Sequence, residues 1–356
     1  MKKLDIDGPH SGMQGNVGPY LQLLGQNQAI VEWNFAIPSK SKITMAENNK
    51  LIEKILGSPS THYVAGFCGL KAETRYIYQV DDKPPTTFST LPDKKQTSFR
   101  FAVIGDYGWK GENLPKVIQQ MEKFDPQWMI TTGDNAYDHG TYQELKAYVF
   151  TAFAKLLATR AFYPTLGNHD VKDQHGKAYL DLFTLPVNSI EHSERYYSFD
   201  AADIHFSMLD SASTDALRLI DSPQINWLKK DLKGTTQLWK IVVFHHSPYS
   251  NELFHHGDRK IQQTLIPILA DLKVDLVFTG HSHTYERTYP LKGVVYIVTG
   301  GGGKSIRLVW RLPWSRTFAM GKKRFHFVGV RGEGFTLSLE AIDHEGNIFD
   351  RYDLTK

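Results

Sequence analysis

Five short polar blocks, each following an apolar run, hold the residues of this chain that are equipped for chemistry. They are Gly105-Asp106-Tyr107-Gly108, Gly133-Asp134-Asn135-Ala136-Tyr137, Gly167-Asn168-His169-Asp170, Val243-Phe244-His245-His246 and Gly280-His281-Ser282-His283. Taken singly, each block is ordinary. Asp106 suits a turn, Asn168 a helix cap, and His281 with His283 a polar pair at a strand end. Taken in order, they supply carboxylates, an amide, a phenol and imidazoles, a mixed oxygen and nitrogen set that suits Fe, Zn or Mn rather than a thiolate-seeking metal. Histidine also clusters: His245, His246, His255, His256, His281 and His283, out of fifteen in the chain, fall in one short stretch. Such clustering points to metal or acid–base chemistry.

The elements that must position these blocks are legible from the rhythm of apolar residues. Residues 18 to 91 alternate over short runs at 29–33, 42–45, 62–64 and 76–80, the pattern of an all-β sandwich. From residue 99 strands alternate with helices, which predicts an α/β region of layered sheets flanked by helices. Strands are expected at 99–105, 128–132, 162–166, 238–244 and 276–279, and helices at 114–123, 142–157, 223–232 and 261–272. Each polar block then leaves the end of a strand, where open α/β sheets place their sites. Glycine beside the polar residue lets the backbone turn without a Cβ clash. The polar stretch 93–97 reads as the linker, giving an irregular segment 1–17, a β domain 18–92 and a catalytic domain 98–356.

Composition sets outer bounds. A chain of 356 residues, 41% hydrophobic, can bury a full core without cross-links. Its single cysteine, Cys68, excludes an intrachain disulfide and a cysteine zinc cluster. No apolar run approaches the roughly twenty residues that span a bilayer, and residues 1–24 lack the apolar stretch of a signal peptide. The net charge of +3 is too small to imply nucleic-acid binding. Between Lys304 and His326, however, Lys304, Arg307, Arg311, Arg316, Lys322, Lys323 and Arg324 occur with no acid, interleaved with Trp310 and Trp314. The reading is a solvated loop, with contact to polyanionic substrates or an anionic surface as the alternative. Gly300-Gly301-Gly302-Gly303 lacks the lysine spacing and helix of a phosphate-binding loop and is expected to be a tight turn.

In order and context, the five blocks resemble the metal-ligand signature of the calcineurin-like metallophosphoesterases. Tyr137, three residues after Asp134, and the run Gly280-His281-Ser282-His283-Thr284-Tyr285-Glu286-Arg287 resemble the purple acid phosphatases within them. Gly69-Leu70-Lys71-Ala72-Glu73-Thr74-Arg75-Tyr76 resembles a fibronectin type III turn, with Tyr76 in a structural role. The resemblance implies a four-layer metallophosphoesterase β-sandwich flanked by helices, preceded by a fibronectin III-like β-sandwich. It assigns Asp106, Tyr137 and His283 to a ferric ion (Fe3+), Asn168, His246 and His281 to a divalent metal (Zn2+, Mn2+ or Fe2+), and Asp134 to both. Of the adjacent histidines, strict strand alternation lets only one face the metals. The family's Val-x-x-His block selects His246 and leaves His245 packed or on the surface. His169, His256 and His255 resemble the family's substrate-pocket histidines, which bind phosphate oxygens and protonate the leaving alkoxide.

The function implied is an acid phosphatase that hydrolyses phosphate monoesters by attack of a metal-bound hydroxide. A phosphodiesterase or nucleotidase using the same site is the alternative, and a binding module with a vestigial site is the rival from outside the enzymes. Expected partners are small phosphate esters, including nucleotides or other polyanions, with no obligate protein partner. Location outside the cytoplasm, secreted or periplasmic, follows from the resemblance alone.

Overall fold

In the computed structural model of the chain, residues 15–48, 50–56, 58–213, 217–309 and 317–356 are described, with the side chains of 52–56 excepted. Trp310, Arg311, Trp314 and Arg316 of the basic segment therefore lie outside the described residues, as does most of the segment 1–17.

The N-terminal region is all β. One sheet orders Val17–Gln22, Gln28–Ser39 and Ser60–Cys68; a second orders Lys50–Leu56, Lys42–Glu47, Arg75–Val80 and Thr86–Ser89. Every pairing in both is antiparallel. Period-two burial drives this: along Arg75–Val80, Tyr76, Tyr78 and Val80 turn inward while the residues between are more open. The Tyr76 hydroxyl accepts a hydrogen bond from Lys71 N at 2.9 Å, so its ring is core and its polar end is satisfied by local backbone.

Beyond Pro92 two larger sheets face each other. The first orders Ala161–Tyr163, Trp128–Thr131, Ser98–Ile104, His326–Glu333, Thr336–Asp343 and Ile348–Thr355. The second orders Tyr197–Ala201, Ile204–Met208, Trp239–His246, Leu276–Gly280, Val295–Thr299, Tyr285–Thr288 and Phe318–Lys322. Their strands interlock through aromatic rings: Phe101 stacks on Trp128 at 5.1 Å and meets Phe206 of the opposite sheet edge-on at 5.4 Å. Helix Asn113–Phe124 covers the first sheet with Leu114, Val117, Ile118 and Met121, the i, i+3, i+4, i+7 stripe of an amphipathic helix. Helix Pro223–Gly234, started by Ser222 accepting from Ile225 N, covers the second. Helix, sheet, sheet and helix make the four layers expected.

One helix departs from expectation. The stretch 142–157 is split into Tyr142–Leu145, a π-helical turn Lys146–Thr151 and Ala154–Leu157. Its start is held by a capping box in which Thr141 and Glu144 satisfy each other's backbone. The same Glu144 carboxylate also accepts from Asp138 N at 2.6 Å and His139 N at 3.2 Å, so the helix start braces the loop that follows Tyr137.

The two regions are pinned together by polar contacts. Thr184 Oγ donates to Glu32 at 2.8 Å, the Tyr163 hydroxyl to the Leu24 carbonyl at 2.6 Å, and the Tyr78 hydroxyl to the Ala158 carbonyl at 2.9 Å. The hairpin 197–208, which leads into the site, carries its own polar network. His205 lies 2.7 Å from Asp200 and 2.9 Å from Asp231, and Ser198 and Ser207 both donate to Asp231 at 2.7 Å. Burial opposes a charge on His205, but the two carboxylates outweigh it and push its pKa up to about 9. The folded value is raised above the unfolded 6.5, so this contribution is full below about pH 6.5 and is lost as pH rises through about 9. The thermal midpoint is accordingly expected to fall by a few degrees across that window, and by less in His205→Gln. Equal pH slopes in the two proteins, measured by scanning calorimetry, would remove the network from the account.

Candidate metal centre

The site lies where the carboxyl ends of the parallel strands of both sheets converge. Asp106 follows Ser98–Ile104, Asp134 follows Trp128–Thr131, and Asn168 lies beyond Ala161–Tyr163; these three come from the first sheet. His245 and His246 end Trp239–His246, and His281 and His283 follow Leu276–Gly280, from the second. Asp106, Asp134 and His281 hold left-handed backbone, with φ of 56°, 51° and 66°. An L residue pays about 1 kcal/mol for that conformation, and such strain collects at functional sites. Gly167 is required for a different reason: a Cβ there would run into the Asp134 backbone.

The donors form two linked groups. In the first, the Tyr137 hydroxyl lies 3.0 Å from Asp106 Oδ1 and 3.3 Å from His283 Nε2, and His283 Nε2 lies 3.5 Å from the same carboxylate oxygen. In the second, Asn168 Oδ1 lies 3.0 Å from His245 Nε2 and 2.9 Å from His281 Nδ1, while His245 Nε2 is 3.5 Å from Asp134 Oδ1. Ligand-type atoms of Asp106, Asp134 and His245 all fall within 4.8 Å of one another, which joins the groups. All of these side chains are buried or nearly so.

The electrostatics of the bare cluster call for cations. Burial, and then the charge of Asp134, raises Asp106 well above the usual carboxylate range. Burial, with Asp106 next, likewise raises the Tyr137 phenol. Burial holds His246 and His283 down to about 3 and holds His281 well below the usual imidazole range, so these imidazoles are neutral and offer lone pairs. Buried carboxylates packed with neutral imidazoles, an amide and a phenol are the donor chemistry of a two-cation site, and the residues present fit one.

The adjacent histidines follow strand alternation, with His245 on the inter-sheet face of Ile241 and Val243, opposite to that of Val242 and Phe244. Val243 pairs with Phe278, but His246 pairs with Gly280, so the strand carries one extra residue between them. This bulge bends the strand end. His245, fully buried, is the one whose Nε2 enters the cluster, while its Nδ1 lies 2.8 Å from the Thr132 carbonyl. His246 directs Nδ1 to the Ser211 hydroxyl at 3.0 Å, with its ring 4.6 Å from that of His281.

The pocket histidines also divide. His255, not His256, lies against the cluster, its ring 4.4 Å from that of His281 and its Nδ1 2.7 Å from the buried Glu252. His256 is exposed, and its backbone bridges to Asn251. His169 sits across the cluster, 4.3 Å from the Tyr137 ring, and its backbone N donates to Asp134 at 2.9 Å.

Several supporting residues went unassigned in the sequence. Asp170 accepts from Gly167 N, Asn135 N, Asn135 Nδ2 and Ala136 N at 2.8–3.1 Å, locking two ligand loops together. Ser305 Oγ lies 3.0 Å from His283 Nδ1. Glu286 fixes the 250–251 turn by accepting from Ser250 Oγ at 2.8 Å and Asn251 N at 2.7 Å, and Arg287 and Tyr285 both bond Asp350 of the other sheet. Asp170 and the Glu286-Arg287 pair were visible in the sequence as polar residues shortly after ligands; Ser305 carried no signal.

Residues 99–285 match the calcineurin-like phosphoesterase family. The chain is 31% identical over 302 residues to Purple acid phosphatase 21 of Arabidopsis thaliana, covering 80% of this chain and 67% of that protein. It is 30% identical over 285 residues to Purple acid phosphatase 23 of the same plant, covering 66% of this chain and 61% of that protein. The solved purple acid phosphatase from yellow lupin (Lupinus luteus) seeds shares the fold with a TM-score of 0.83, over 96% of this chain and 74% of that one, at 18% identity. A chain whose matched region contains all five ligand blocks whole, and which aligns with purple acid phosphatases over most of its length, belongs to the calcineurin-like phosphoesterases and, within them, to the purple acid phosphatase family.

Proposed function

We propose that this phosphoesterase is an acid phosphatase that hydrolyses phosphate monoesters at a dinuclear centre of one ferric and one divalent ion. The observation that carries the reading is the Tyr137 hydroxyl set 3.0 Å from Asp106 and 3.3 Å from His283. A phenolate with a carboxylate suits a hard trivalent ion; the amide and imidazole group around Asn168 suits a divalent one. Asp106, Tyr137 and His283 would hold the first ion, Asn168, His245 and His281 the second, and Asp134 both. When bound, the ions polarise the phosphoryl oxygens and make hydroxide available below neutral pH.

The chain's own contribution is position and protons. His169 and His255 flank the cluster from two sides, so a phosphoryl group seated there meets an imidazole at either end. One imidazole holds a phosphoryl oxygen while the other delivers its proton to the departing alkoxide, which general acid catalysis rewards by about 10²-fold or more. Glu252 on His255 Nδ1 fixes the ring through that nitrogen and leaves Nε2 for substrate. The same proposal divides the chain at residues 93–97, with a fibronectin type III-like module before and the catalytic domain after; the Tyr76 hydroxyl bond to Lys71 supports that likeness. Export from the cytoplasm is part of the proposal. No helix among the described residues is long and apolar enough to cross a membrane.

Three measurements test this reading. Iron-loaded protein is expected to show a violet charge-transfer band that Tyr137→Phe abolishes; a band that survives the substitution overturns the ferric assignment. Asp134→Asn is expected to lose bound metal together with activity, lowering kcat/KM on the order of 10³-fold, and a fully active, metal-loaded variant would undo the bridge. His245→Ala is expected to release more divalent metal than His246→Ala in elemental analysis, with the reverse order returning the ligand role to His246.

A further inference from the structure

Gly300–Gly303 are not a simple tight turn. They thread between backbones of the metal cluster: a Cβ on Gly300 would strike the Ser282 carbonyl, one on Gly302 the Gly105 carbonyl, and one on Gly303 the Tyr107 carbonyl. Only a chain stripped of side chains passes here. It emerges with Lys304 N donating to the Asp106 carbonyl at 3.1 Å, Ser305 Oγ at 3.0 Å from His283 Nδ1, and Arg307 N donating to the His283 carbonyl at 2.9 Å. Three bonds to two residues of the centre thus fix where Lys304 and Arg307 stand.

Both cations flank the place where substrate must sit. Lys304 Nζ lies 2.9 Å from the centre of the Trp109 ring, 4.6 Å from that of Tyr137 and 3.0 Å from Asp138 Oδ1. Its side chain is only 19% exposed, unlike a solvated surface lysine. Arg307 Nη1 lies 2.9 Å from His255 Nδ1 and 3.7 Å from Glu252. Lysine supplies a compact point charge and arginine a planar fork, the two standard partners of phosphoryl oxygens. Asp138, the partner of Lys304, is half exposed and gives way to a more highly charged group.

We propose that Lys304 and Arg307, one on each flank of the centre, form an anion subsite beside the metal cluster that selects phosphate esters whose alcohol carries a further phosphoryl group. This inference rests on the phosphoesterase reading of the metal centre and names its substrate class.

The test compares kcat/KM of the metal-loaded enzyme on glucose 1,6-bisphosphate and glucose 6-phosphate. Wild type is expected to favour the bisphosphate. Lys304→Met should cut that preference about tenfold, the size of one charged contact, chiefly through KM. Arg307→Gln should act in the same direction, Lys304→Arg should restore the preference, and Asp138→Asn should raise it. Equal losses on both substrates, or an unchanged ratio, would overturn the subsite while leaving the phosphatase intact. Calorimetric binding of pyrophosphate and orthophosphate separates the two readings. If wild type hydrolyses neither sugar phosphate yet binds pyrophosphate more tightly than Lys304→Met does, the subsite stands and the hydrolytic reading falls; equal pyrophosphate binding by both proteins removes the subsite.

Discussion

Like charges buried together are the constraint on which this structure turns. Asp106, Asp134 and Asp170 are each almost wholly buried within one cluster, and the repulsion among them in a low-dielectric setting is unfavourable unless fixed donors and cations oppose it. The polypeptide supplies the donors. His281 N reaches Asp106, His169 N reaches Asp134, and four N–H groups reach Asp170. What remains uncompensated is the part that bound cations answer, so the fold is built around a charge it does not itself carry.

A ring of further carboxylates keeps that centre in shape without entering it. Glu144 ties down the loop after Tyr137, Glu252 holds His255, and Glu286 holds the 250–251 turn against the strand that follows His283. Asp350 reaches across from the first sheet to Tyr285 and Arg287 of the second. The Glu144 and Glu252 bonds are local, the Glu286 and Asp350 bonds join segments far apart in the chain, and each is charge-assisted, so it is stronger than a neutral hydrogen bond of the same length. Ligand precision therefore draws on tertiary bracing as well as on the loops themselves.

Much of this was legible in the sequence, because a glycine and an acid or histidine at the end of an apolar strand is a local signal. Asp106, Asp134, Tyr137, Asn168, His281 and His283 carry it, and the structure brings them together. What was not legible depends on pairing. Which face of Trp239–His246 meets the opposite sheet is settled by packing, which puts His245 on the side of Ile241 and Val243, and no feature of residues 243–246 alone declares it. The π-helical turn in 142–157 is likewise hidden from a periodicity that reads as continuous helix. Lys304 looked like one more surface charge because its placement follows from backbone bonds to Asp106, nearly two hundred positions earlier in the sequence.

The left-handed backbone at Asp106 and Asp134 has a consequence for how such a protein ages over generations. Asparagine and glycine tolerate that conformation at least as well as aspartate, and at Asp106, where burial and the charge of Asp134 oppose ionisation, either would also relieve the charge repulsion of the bare cluster. Inactivating drift at Asp106 is thus downhill for the fold. Purifying selection on catalysis, and not on stability, is what holds that acid in place, and descendants released from it would keep the architecture while losing the chemistry.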